Sequence, residues 1–163
     1  MKRRLALLLC IVFLIACAQT NPEGYHNSVF SAVLPDSFEP VTDSGIICFA
    51  PYGDPLLSSS ITFYATELNW YFDDFTEEEY AKELKELTGY ESLSFEEMTN
   101  RKVDGYDSRR IVCKVQIDQG IHDLIIYAVN ADQIYFFTLL NREGDSFVES
   151  FDQMMDSVRF IKK

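Results

Sequence analysis

Histidine is nearly missing: the 163 residues hold only His26 and His122. His26 falls in a polar stretch near the start, so a serine or cysteine triad would have to use His122. Its neighbour Asp123 is no natural partner, because adjacent strand residues point to opposite faces. A surface histidine is the expected role. Cysteine is also sparse, at positions 10, 17, 48 and 113, with no Cys-x-x-Cys and no zinc-type spacing. No Gly-x-Ser-x-Gly elbow, P-loop, His-Glu-x-x-His or EF-hand loop occurs. These gaps predict a protein that is not an enzyme and needs no cofactor.

Basic charge is short as well: 14 Lys and Arg stand against 26 Asp and Glu, a net −12. Such a surface repels nucleic acid and anionic headgroups, so no nucleic-acid partner is expected. It suits cationic partners or divalent cations, and it also simply keeps an exported protein soluble. The one long apolar run, residues 5–16, falls short of the ~20 residues a membrane-crossing helix needs.

What is present begins with that run. Lys2, Arg3 and Arg4 precede it, which is the layout of an export signal. It closes on Leu14-Ile15-Ala16-Cys17, which resembles the lipobox of bacterial lipoproteins. The resemblance implies cleavage after Ala16, acylation of the Cys17 thiol by palmitate-type chains, and Cys17 as the new N-terminus. The alternative is an ordinary secretory peptide cut after Ala16 or Ala18. On the lipoprotein reading, residues 1–16 are signal peptide and residues 17–27 are a polar tether carrying Pro22 and Gly24. The protein then sits on the extracytoplasmic face of a cell membrane, held by lipid. Loss of Lys2, Arg3 and Arg4 leaves 26 acidic residues against 11 basic ones.

Residues 28–163 have the length and hydrophobic content of one domain. Residues 28–34, 45–50 and 60–68 read as strands; in the last, Ile61 and Phe63 alternate with Thr62 and Tyr64. Thr76 and Glu79 have capping-box spacing, Tyr80, Leu84 and Leu87 make one apolar helix face, and Gly89 is a stop. Asp104-Gly105 marks a turn into a strand over 109–117. Residues 122–130 and 133–141 follow as strands apolar on both faces, hence central in a sheet. Ser146 and Glu149 repeat the capping-box spacing before a stripe of Phe147, Phe151, Met154, Met155 and Val158. Residues 158–161 read as a closing strand. Short turns between consecutive strands predict an antiparallel sheet, and flanking helices make it a layered α+β, α/β/α domain.

Residues 30–38 (FSAVLPDSF), 105–111 (GYDSRRI) and 151–160, with Ser157 before the last strand, resemble PsbP-like domains. That fold is shared by the Ran-binding Mog family. The chain also resembles small uncharacterised lipoproteins of Gram-positive anaerobes. The resemblance implies an accessory or binding role. A lipid-anchored module binding an envelope protein or helping a complex assemble is the first expectation. A small-ligand or divalent-cation binder, with a concave pocket walled by the sheet and lined by Tyr or Phe, is the second.

Three groups of residues are candidates. Trp70, Tyr71 and Phe72 crowd a short connection and suit either helix packing or a contact patch. Asp73, Asp74 and Glu77 offer oxygen ligands for a weak cation site, or serve only the helix N-terminus. Cys48 and Cys113 either bond to each other or act as buried apolar residues.

Overall fold

The apolar segments Leu124–Val129 and Ile134–Leu139 cannot face water on either side, and both lie in the middle of a seven-stranded antiparallel sheet. A computed structural model describes residues 24–41, 47–52, 58–66, 76–142 and 144–161. Its strands are β1 (Tyr25–His26), β2 (Phe30–Ala32), β3 (Phe38–Pro40), β4 (Ile47–Pro51), β5 (Ser60–Thr66), β6 (Ser94–Val103), β7 (Tyr106–Ile117), β8 (Gly120–Asn130), β9 (Ile134–Asn141) and β10 (Arg159–Phe160). Its helices are α1 (Glu77–Thr88) and α2 (Val148–Ser157). The large sheet runs β3-β4-β5-β9-β8-β7-β6; a small sheet runs β1-β2-β10.

The large sheet is covered on both faces. One face packs on α2 and the small sheet through Phe30, Phe63, Tyr127, Phe137, Phe151 and Met155. The other packs on α1 through Tyr80, Leu84, Ile111, Ile126 and Phe136. This is the layered α+β architecture expected from the sequence. Fully burying each large side chain contributes roughly 1.5–3 kcal/mol before the entropy of ordering is subtracted.

α1 starts and stops as its sequence requires. The Thr76 hydroxyl accepts the Glu79 N–H, and the Glu79 carboxylate accepts the Thr76 N–H at 2.8 Å. Gly89 takes the left-handed conformation that ends it, at φ 74°. Tyr80 and Leu84 are fully buried; the side chain of Leu87 lies outside the described residues. Asp104 and Gly105 both have positive φ, which suits the tight β6–β7 turn.

Three expectations need correction. The ten-residue strand β6 has no counterpart in the sequence reading, because an edge strand wetted on both sides shows no apolar alternation. Ser146 does not cap α2. The helix begins later, with Phe147 at the cap position and no side-chain bond of the capping-box kind. Asn141 takes over instead, its Oδ1 accepting the Phe147 N–H and its Nδ2 donating to the Asp145 carbonyl. His122 is buried, at 7 % exposure, since it shares the α1 face with Val115 opposite it in register. Of the two readings of Cys48 and Cys113, the buried apolar one describes them, since both are free and buried. They sit on β4 and β7 with β5, β9 and β8 between them. Four strand spacings of about 4.8 Å separate them by ~19 Å, where a disulfide needs Cα atoms within about 7 Å.

Candidate ligand cleft

The α1 face of the sheet changes character from one side to the other. Register places Cys48, Thr62, Thr138, Ile126 and Ile111 in one row across β4, β5, β9, β8 and β7. The apolar end of the row lies under α1. At β9 and β5 the row turns to hydroxyls, because β5 alternates Ile61 and Phe63 toward the opposite core with Thr62 and Tyr64 toward this face. α1 ends at Gly89 and leaves a cleft of about 330 Å³ beside it. Ser60, Thr62, Tyr64, Thr138 and Leu140 form its floor, with Leu124 from β8, and Thr88 and Tyr90 form its rim.

The polar groups in the cleft are neutral. The Tyr64 ring stacks on Phe136 at 5.0 Å. Burial pushes the Tyr64 phenol well above its ordinary pKa, and the nearby Thr138 hydroxyl offsets only part of the rise. The phenol therefore stays protonated at physiological pH and can donate. Thr138 is 8 % exposed, and its hydroxyl lies beside the Tyr64 phenol. Thr88 is already engaged, donating to the Leu84 carbonyl at 2.6 Å. No described residue lining the cleft is charged. The set can hydrogen-bond and stack, but it offers no general base, imidazole or carboxylate.

Two other features sit on the α2 side. Asp152 on α2 accepts hydrogen bonds from Arg110 Nε and the Tyr127 hydroxyl, both at 2.9 Å. Burial opposes the charge on Arg110, but the bond to and charge of Asp152, aided by Tyr127 and Glu97, carry its pKa upward. This trio clamps the helix to the sheet. A second depression of about 400 Å³ lies among Tyr106, Tyr135 and Phe160. Its rings pack on one another, and the Tyr135 hydroxyl is held by Asp132 at 2.8 Å. Unlike the first cleft, it is lined by a carboxylate, that of Asp132.

Of the residues singled out in the sequence, Cys17, Trp70, Tyr71, Phe72, Asp73 and Asp74 lie outside the described residues. Glu77 is exposed in the first turn of α1. Among the described residues no three His, Cys, Asp or Glu side chains converge as metal ligands, and no helix is long and apolar enough to cross a membrane. The cleft residues Thr62, Tyr64 and Thr138 were not foreseen as a site. The polar face of β5 was visible in the alternation, but its pairing with β9 was not.

No protein-family profile and no curated protein sequence matches the chain. Solved structures do. The solution structure of cyanobacterial PsbP (CyanoP) from Synechocystis sp. PCC 6803 is similar over 89 % of this chain and 97 % of that one, at 13 % identity and a TM-score of 0.61. A crystal structure from Bacteroides thetaiotaomicron is similar at 13 % identity and a TM-score of 0.49; it covers 82 % of this chain, which spans only 46 % of that one. LpqN, involved in cell envelope biogenesis of Mycobacterium tuberculosis, is similar over 88 % of each chain at 6 % identity and a TM-score of 0.46. The fold is thus of the PsbP-like α+β class.

Proposed function

We propose that this chain is a non-catalytic, extracytoplasmic binding module, carried on a membrane by lipid at Cys17, that takes up a small uncharged ligand in the cleft beside the end of α1. The observation that carries the proposal is a cleft of about 330 Å³ lined by neutral hydroxyls and a stacked tyrosine, with no charged residue among its described lining. A charged ligand would lose its hydration there without meeting an opposite charge, whereas a neutral one with a ring and hydrogen-bonding groups meets both surfaces it needs. The basic start, short apolar run and Leu14-Ile15-Ala16-Cys17 support the address. A divalent-cation role has no support from this cleft, whose described lining includes no carboxylate. The envelope-protein reading stands on the anchor, the want of catalytic motifs and the PsbP-like resemblance, and it is the second reading; the cleft favours a small ligand.

Thermal-shift screening tests it, with neutral sugars, nucleosides and cyclic dipeptides set against charged analogues of each. A ligand at a hundred times its Kd adds about 2.7 kcal/mol of stability. A neutral compound should raise the melting temperature, and Thr138→Val with Tyr64→Phe should abolish the rise. A response to charged compounds alone, or one indifferent to both substitutions, refutes the cleft. Mass spectrometry of native protein tests the anchor: a mature terminus without acyl mass on Cys17 rules it out.

A further inference from the structure

Strand β6 ends the large sheet, and among the described residues nothing pairs with its outer edge. We propose that this edge is a self-association surface, on which two copies of β6 pair antiparallel about a twofold axis through Thr99. The sign order of the charges is what points there. Glu96 and Glu97 precede Thr99; Arg101 and Lys102 follow it. Antiparallel pairing centred on Thr99 sets Glu97 of one copy opposite Arg101 of the other, a contact that occurs twice, while Glu96 lies in the bulge beyond the regular run. A parallel arrangement would set each charge beside its own kind. Lys102 also meets Asp107 at 2.8 Å in an exposed pair, so Glu97 and Arg101 carry most of the complementarity.

The faces agree with that register. Glu97, Thr99 and Arg101 oppose Val112, Arg110 and Ser108 on β7, so all three lie on the α2 face of the sheet. Pairing about Thr99 keeps these residues on a common face in both copies and makes one continuous sheet. At the axis the two Thr99 side chains stand directly opposite each other, with Cβ atoms about 5 Å apart, a pairing that strands favour.

Charge and a bulge are also ordinary protection for an edge. Protection needs no ordering of signs about a centre, and β6 has one. The bulge between Phe95 and Glu97 ends the regular run and keeps the pairing short. The opposite edge, β3, is three residues long and ends in Pro40, which has no N–H to donate. Growth therefore stops at two copies.

Cysteine trapping of the full chain in neutral detergent tests the proposal. Thr99→Cys should form covalent dimer on oxidation about tenfold faster than Gln119→Cys, a control in the β7–β8 turn. Glu97→Arg should bring trapping down to the control rate, and Glu97→Arg with Arg101→Glu should restore it. Sedimentation velocity of the unsubstituted chain and of Glu97→Arg gives a readout that needs no new cysteine: a dimer in the first and a monomer in the second. Trapping no faster than the control, no loss on the single reversal, no recovery on the double one, or monomer throughout sedimentation overturns the interface.

Discussion

Asn141 Oδ1 accepts the backbone N–H of Phe147 at 3.1 Å, so the last residue of the central strand β9 fixes the entry of α2. Asn141 is 4 % exposed and donates to the Asp145 carbonyl as well. Asn141→Leu leaves both backbone groups without partners. It should cost about 2 kcal/mol in urea unfolding, whereas Ser146→Ala should cost almost nothing. Equal losses would mean that Ser146 shares the capping.

The Arg110–Asp152–Tyr127 clamp predicts an asymmetry. Asp152→Asn strands a guanidinium whose side chain is 12 % exposed, while Tyr127→Phe removes one donor and keeps the ion pair. With Asp152 itself 30 % exposed, solvent tempers the first loss to about 2 kcal/mol. The second should be about 1 kcal/mol. Chemical denaturation of the two variants separates them.

Cys113 predicts an alkaline weakness. Burial, aided by the charge of Glu96, pushes its thiol from 9.0 up to about 12. A raised folded pKa leaves stability intact below the unfolded value, and it is lost as pH rises from about 9 toward 12. Stability measured between pH 8 and 11 should fall, and Cys113→Ala should fall less steeply from a lower starting point. In the native state at pH 8 neither Cys48 nor Cys113 should alkylate; both should react on unfolding.

At the other end of the pH scale the α1 cap responds. The Thr76 N–H, then its hydroxyl, hold the Glu79 carboxyl below its ordinary value of 4.5. A lowered folded pKa gives stability that is present above that value and lost as pH falls through the folded one. Helix content followed from pH 6 to pH 2 should fray first at α1 in the parent protein. Glu79→Gln should remove that dependence. Thr76→Ala should cost about 1 kcal/mol at neutral pH.

Legibility tracked distance along the chain. Thr76, Glu79 and Gly89 act within one helix, and their spacing alone revealed it. The doubly apolar β8 and β9 announced the middle of the sheet. β6 stayed hidden because its two faces are both half wet and its bulge breaks the period of two. Asn141 displaced Ser146 because tertiary geometry, not local spacing, decides which side chain reaches an open N–H. The cleft was the least visible part. Thr62 meets Thr138 only through the register of β5 on β9, and no local pattern encodes which strands become neighbours.

The small sheet sets the first and last described strands on either side of β2, and the Ile161 N–H donates to the Val29 carbonyl at 2.8 Å. A reporter or affinity handle fused after β10 would therefore emerge at the corner by the β6–β7 turn, where Asp104 accepts the Phe160 N–H. The hairpin tip at Asp118 and Gln119 lies at the far end of β7, about 35 Å along the strand from Tyr106. An inserted handle there projects away from that corner and leaves both ends of the domain unencumbered.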